Sequence, residues 1–106
     1  MSRVSGLGVP LFSIVTTRSW GIGDFADLPA FARWAEGAGQ AVVQILPLME
    51  LPEGEHSPYS ALSSFALDPT YVALRQVPEL APGPVLSAED EAVLAAARQA
   101  PALRYE

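Results

Sequence analysis

Residues 41–49 read AVVQILPLM, a near-continuous apolar run in which Gln44 is the sole polar interruption before Pro47. A short run of this kind reads as a strand buried on both faces, the pattern of parallel sheets. Working upstream, LGVPLFSIV at residues 7–15 has the same character, with β-branched residues toward its end and Pro10 near its start or at a bulge. Between the two runs, LPAFARWAEGA at residues 28–38 places Leu28, Phe31, Ala32, Trp34, Ala35 and Ala38 on one helical face, opposite Arg33, Glu36 and Gly37. Asp27 stands where an N-cap belongs, Pro29 falls in the first turn, and Gly39 sits where a C′ glycine ends a helix. Strand, helix, strand with apolar runs of this type is a βαβ unit, so the two strands are expected to be parallel. The helix is expected to pack on them through Phe31, Trp34 and Ala35.

Parallel strands send their following loops to one edge of the sheet. Here those loops are TTRSWGIGD, residues 16–24, and ELPEGEHSPYSALSSFALDPT, residues 50–70, both longer than ordinary βα connections. That edge is where α/β folds place binding chemistry. Downstream, LAPGPVL at residues 80–86 is a Pro/Gly break, and SAEDEAVLAAARQA at residues 87–100 is a second, solvent-facing helix. Ser87 serves as its N-cap, Asp90 completes a capping box, and Pro101 stops it. The chain thus divides into residues 1–80, carrying the βαβ unit and its loops, and residues 81–106, a linker plus helix.

Composition narrows the function. With 106 residues, half of them apolar, the chain is the size of one small packed domain. Twelve acidic against six basic residues give a formal charge of −6, which offers no footprint for nucleic acid or anionic lipid. No cysteine is present and His56 is the single histidine, so neither a disulfide framework nor a zinc-type site is expected, and no metal or cofactor is assigned. The opening MSRVSGLGVPLF lacks the pattern of a signal peptide, and there is no long apolar span; a cytoplasmic location away from membranes is the expectation.

Several motifs compete for the loop edge. GIGDFA at residues 21–26 fits G-x-G-x-x-A before a helix, with Glu50 at the end of the next strand where a ribose-binding acid would stand. Five residues, TTRSW, separate Gly21 from the strand, however, whereas a dinucleotide fingerprint turns directly out of it. Asp24 reads as a cap or dipole partner or as a substrate-loop carboxylate. His56, with no nucleophile and orienting acid beside it, is given no role. In SPYS, residues 57–60, Pro58 stiffens the backbone that presents Tyr59. That ring suits either stacking against a sugar, with its hydroxyl as a polar handle, or packing the loop onto the fold.

The ordered set RSWGIGDFADL, AGQAVVQILPL and HSPYSALSSFALDP resembles the start of the 4-α-glucanotransferases, or amylomaltases, of glycoside hydrolase family 77. The resemblance covers roughly residues 6–72, and PALRYE at residues 101–106 is similar to a later VDY segment, with Arg104 in place of Asp. Met49 and Asp68 depart from the Gly and Asn usual in the family. The resemblance implies an α/β fold, the N-terminal βαβ portion of an incomplete (β/α)8 TIM barrel with a C-terminal helix. It also implies a cytoplasmic enzyme that transfers α-1,4-glucan segments between maltooligosaccharides by a retaining, two-carboxylate route. Tyr59, with Ser57 beside it, maps onto the active-site mouth and is the expected substrate-binding position, with Pro58 and Asp24 as loop or structural residues. The catalytic carboxylates of the family come from later strands, so none is assigned here, and the chain is expected to be an inactive fragment whose partner is the remainder of the barrel. A stand-alone maltodextrin-binding or interaction module and a nucleotide-binding βαβ unit are the alternatives.

Overall fold

The computed structural model describes residues 2–81, 83 and 85–101. Strand β1, Gly6–Val9, and strand β2, Val42–Ile45, form a two-stranded parallel sheet in register from Gly6 opposite Val42 to Val9 opposite Ile45. Helix α1, Leu28–Gly37, connects them. The expected βαβ unit is therefore present, and Gly6 is tight within it, since a Cβ there would lie 2.7 Å from the Val42 carbonyl oxygen.

Both strands are shorter than their apolar runs. At Pro10 there is no N–H to extend the ladder, and the chain bends into a 3-10 turn, Leu11–Ser13, in which the Pro10 carbonyl accepts from the Ser13 amide at 3.1 Å. Residues 11–15 are thus not strand, and Leu11 and Ile14 enter the core from the turn. Likewise β2 stops ahead of Pro47, Leu48 packs into the core, and Met49 makes an isolated antiparallel bridge to Leu67. Nor are the strands buried on both faces. Exposed and half-buried residues alternate along each, Val42 being 50% exposed, because among the described residues helical cover lies on the Leu7, Val9, Val43 and Ile45 side alone.

The core gathers Leu11, Ile14, Leu48 and Tyr71, with Val9, Phe12, Ile22, Phe25, Leu28, Phe31 and Ile45 packed around it. Helix α1 contributes Leu28, Phe31 and the buried Ala35. Trp34 departs from expectation: it is 61% exposed and lies against Phe31, ring centroids 5.4 Å apart. Two strands spaced about 4.8 Å apart offer a face too narrow for the whole apolar stripe of α1. The helix ends as a Schellman motif, with Gly39 at φ +78°, its amide donating to the Glu36 carbonyl at 2.9 Å and the Gln40 amide to that of Ala35 at 2.9 Å. At the other end Asp27 occupies the N-cap position without capping. Its backbone is helical, φ −82° and ψ −26°, rather than extended, and the carboxylate turns back into the preceding loop.

After β2 the chain runs through three 3-10 turns, Pro69–Tyr71, Leu74–Gln76 and Pro78–Leu80, to helix α2, Ala88–Gln99. The capping box is formed, the Ser87 Oγ accepting from the Asp90 amide at 3.1 Å and Asp90 Oδ2 from the Ser87 amide at 2.9 Å. None of α2 is fully buried, and Arg98 Nε donates to the Ser19 carbonyl at 2.7 Å. Of the 101–106 segment, residues 102–106 lie outside the described residues, as do Pro82 and Pro84 in the linker.

Candidate functional site

The loops that follow β1 and β2 meet. The Phe25 amide donates to the Tyr71 carbonyl at 3.0 Å, and the two rings make an edge contact with centroids 6.2 Å apart. Where they join, a cleft of about 240 Å³ is lined by Phe12, Met49, Glu50, His56, Pro58 and Tyr71, among others. The two loops touch, but the cleft itself is lined by Phe12 and by residues of the 47–71 stretch, with none of residues 16–24. Burial pushes the Tyr71 hydroxyl up from its ordinary range, with the Asp68 charge adding to the effect.

The SPYS loop forms the rim. Glu55 Oε1 accepts from the amides of His56 and Ser57, both at 2.8 Å, and the Ser57 carbonyl accepts from the Ser60 amide at 3.0 Å. Those two amides hold the Glu55 carboxyl below its ordinary range. The Leu62 amide donates to the Glu50 carbonyl at 2.9 Å and closes the loop. On this turn Pro58 faces the cleft, Ser57 is half-buried with its Oγ 3.4 Å from the Tyr59 amide, and Tyr59 is 73% exposed. Its ring is presented to solvent.

Asp24 is elsewhere. It lines a larger groove of about 940 Å³ under α2 with Trp20, Thr70, Arg75, Leu94 and Ala97, so it does not share a cavity with Pro58. Its carboxylate is buried and takes both arms of Arg75, Nη1 to Oδ2 at 2.5 Å and Nη2 to Oδ1 at 3.1 Å, while Oδ1 also accepts from the Ala26 amide at 2.8 Å. Beside it Asp27, fully buried, accepts from Thr16 Oγ1 at 2.6 Å, Ser19 Oγ at 2.8 Å and the Asp24 amide at 3.1 Å, with Arg75 Nη2 3.7 Å away. Burial works to raise the Asp27 carboxyl, but the Thr16, Ser19 and Asp24 hydrogen bonds and the Arg75 charge outweigh it and leave it lowered. Reading the sequence assigned nothing to Arg75 and only a cap to Asp27. Arg75 lies 51 residues from Asp24, so no local pattern joins them.

Close packing and backbone conformation account for the glycines of GIGDFA. A Cβ on Gly23 would fall 2.1 Å from the Leu11 carbonyl oxygen and 2.3 Å from that of Ile14, so close packing on the 3-10 turn demands glycine there. Gly21 has φ +95°. Two buried carboxylates stand just ahead of α1, an environment that repels the pyrophosphate a dinucleotide motif would seat there.

Comparison with known proteins agrees with this geometry. A family model described as 4-alpha-glucanotransferase, that of glycoside hydrolase family 77, matches residues 9–106. The chain is similar to a 4-alpha-glucanotransferase of Chlamydia pneumoniae, 43% identical over 75 residues that cover 71% of this chain and 14% of the relative. A 4-alpha-glucanotransferase of Mycobacterium tuberculosis is 39% identical over 88 residues, 74% of this chain and 12% of the relative. Among solved structures, amylomaltase from Corynebacterium glutamicum superposes with a TM-score of 0.70 at 28% identity, covering 91% of this chain and 14% of that one. The chain thus spans about a seventh or less of the length of these proteins. With the match running from the last residue of β1 through the connecting helix, β2 and the rim loop, the chain belongs to the 4-alpha-glucanotransferase family.

Proposed function

We propose that this chain supplies the first βαβ unit of an incomplete (β/α)8 barrel and part of the glucan-binding mouth of a cytoplasmic 4-α-glucanotransferase. Residues 1–80 form the barrel portion with its substrate loop, and residues 81–106 the linker and helix that follow. The ligand is an α-1,4-glucan or maltooligosaccharide. Tyr59 offers its face to a glucose ring, Ser57 holds the turn beneath it, and Pro58 sets its direction. Asp24 is structural, since a carboxylate buried under an arginine is neither a free nucleophile nor an acid.

The observation that carries this reading is the family match over residues 9–106 together with an exposed Tyr59 at the edge where the βα loops meet. Glucosyl transfer by a retaining route needs a nucleophilic carboxylate about 5 Å from a general acid whose pKa is raised. The Asp24, Asp27 and Glu55 carboxylates are each taken up by hydrogen bonds within the chain, and we assign the catalytic pair to the remainder of the barrel. The test is to incubate maltotriose with a polypeptide in which this chain is continued to the length of its relatives. Production of glucose with maltopentaose, or of maltose with maltotetraose, supports the reading; maltotriose unchanged overturns it.

A further inference from the structure

The cluster of half-buried Arg75 with buried Asp24 and Asp27 lies outside the cleft, yet it joins the β1 loop to the chain that carries Tyr71, a wall of the cleft. We propose that Arg75 is a positioning residue for the glucan: it clamps the β1 loop to the chain after β2, and so fixes the cleft wall beneath the Tyr59 rim. This inference rests on the glucanotransferase reading for its ligand but not for its structural coupling.

The connection can be followed atom by atom. The guanidinium forks onto Asp24 and neutralises part of the charge that Asp24 and Asp27 bring into the interior. Asp27 in turn holds Thr16 and Ser19, fixing the start of the β1 loop, and takes the Asp24 amide. One residue on, the Phe25 amide bonds to Tyr71, whose buried ring forms a wall of the cleft together with Pro58. Arg75 itself is in the 3-10 turn that begins three residues after Tyr71. Force applied at either loop is carried to the other through a planar, two-pronged contact. A lysine at this position would keep the charge but lose the fork. A residue that holds a binding surface, rather than the reacting atoms, changes ground-state and transition-state binding alike, so its loss raises KM and spares kcat.

The experiment compares Arg75→Lys and Asp24→Asn with the unmodified sequence, both in the polypeptide continued to family length, well below the melting temperature of each. Asp24→Asn keeps the shape and avoids leaving a second unpaired charge, so a failure of Arg75→Lys to fold still leaves a variant to measure. Each is expected to raise KM for maltotriose about fivefold or more with kcat within about twofold. Amide hydrogen exchange, read without any sugar, is expected to quicken about tenfold at Phe25 and Leu62, the amides that join and close the two loops. Unchanged exchange at these amides in a folded variant overturns the coupling, whatever the enzyme does. Faster exchange with KM unchanged overturns the role toward the glucan. If exchange quickens while the unmodified protein transfers nothing from maltotriose, the glucanotransferase reading fails and the clamp stands as a structural coupling alone.

Discussion

Tyr59 presents its ring from a turn whose backbone is held by the Glu55 carboxylate, the Ser57 carbonyl and the Pro58 ring, and it is 73% exposed. On the proposed reading, Tyr59→Ala in the family-length protein lowers kcat/KM for maltooligosaccharide transfer by about 1–3 kcal/mol, the size of a lost aromatic platform and one hydrogen bond. Tyr59→Phe keeps the platform and costs less. Steady-state kinetics alongside melting temperature separates this from scaffolding, which would lower Tm and leave the kinetics of the folded protein alone. Asp27 makes the opposite kind of prediction. Its carboxyl is lowered from the ordinary 3.8 in the folded state, so it contributes stability that is present above that value and lost as pH falls through it toward the folded value. Asp27→Asn should cost about 1–3 kcal/mol near neutrality. It should also flatten the loss of stability that sets in below about pH 5 and continues as pH falls through 3.8, read as denaturant midpoints. The exposed tyrosine was legible because its neighbours in sequence determine its setting. Asp27 was half legible: its place ahead of the helix is written locally, but its partners Thr16, Ser19 and Arg75 are brought to it by the fold.

Helix α1 shows the same division among elements. Its C-terminus was readable to the residue because Gly39 must take φ +78° in the Schellman turn, a requirement visible in one glycine after an amphipathic run. Gly39→Ala should destabilise by about 1 kcal/mol, whereas Gly37→Ala, inside the last turn with open space where its Cβ would go, should stabilise by about 0.5–1 kcal/mol. Opposite shifts in urea midpoint check the pair; equal shifts would mean that the helix end is held by packing instead. The strands were located and paired correctly, and their lengths were not. Apolar continuity signals burial, and Leu11, Ile14 and Leu48 are indeed buried, but a 3-10 turn and an irregular segment bury them as well as a strand would. Pro10 and Pro47 mark where ladder bonding stops. Trp34 failed for a different reason: a helical stripe predicts a face, while the width of what it packs on decides how much of that face is covered.

The whole molecule is looser than a closed domain of its size. Its radius of gyration is 15.6 Å and its extents are 55 × 33 × 32 Å, against the roughly 13 Å radius of a compact domain of about 100 residues. Among the described residues one side of the sheet, with Val42 half exposed, has no helix on it, and α2 stands over a groove rather than in a core. Catalysis by two carboxylates needs both to be held within about 0.5 Å of a productive geometry by rigid strand ends. Here two strands carry the loops, Asp24 is held by Arg75, Asp27 by Thr16, Ser19 and the Asp24 amide, and Glu55 by the amides of its own turn. Each of these acids is committed to holding a loop in place, and freeing one to react would undo the surface proposed to bind the sugar. The isolated 106-residue chain is therefore expected to give no transfer from maltotriose above a protein-free blank, measured by chromatography of labelled sugar over hours, while the family-length polypeptide does. Sustained turnover by the isolated chain, surviving purification to constant specific activity and abolished by Glu50→Gln or Glu53→Gln, would place a working carboxylate on this edge and overturn the assignment of the catalytic pair to the rest of the barrel.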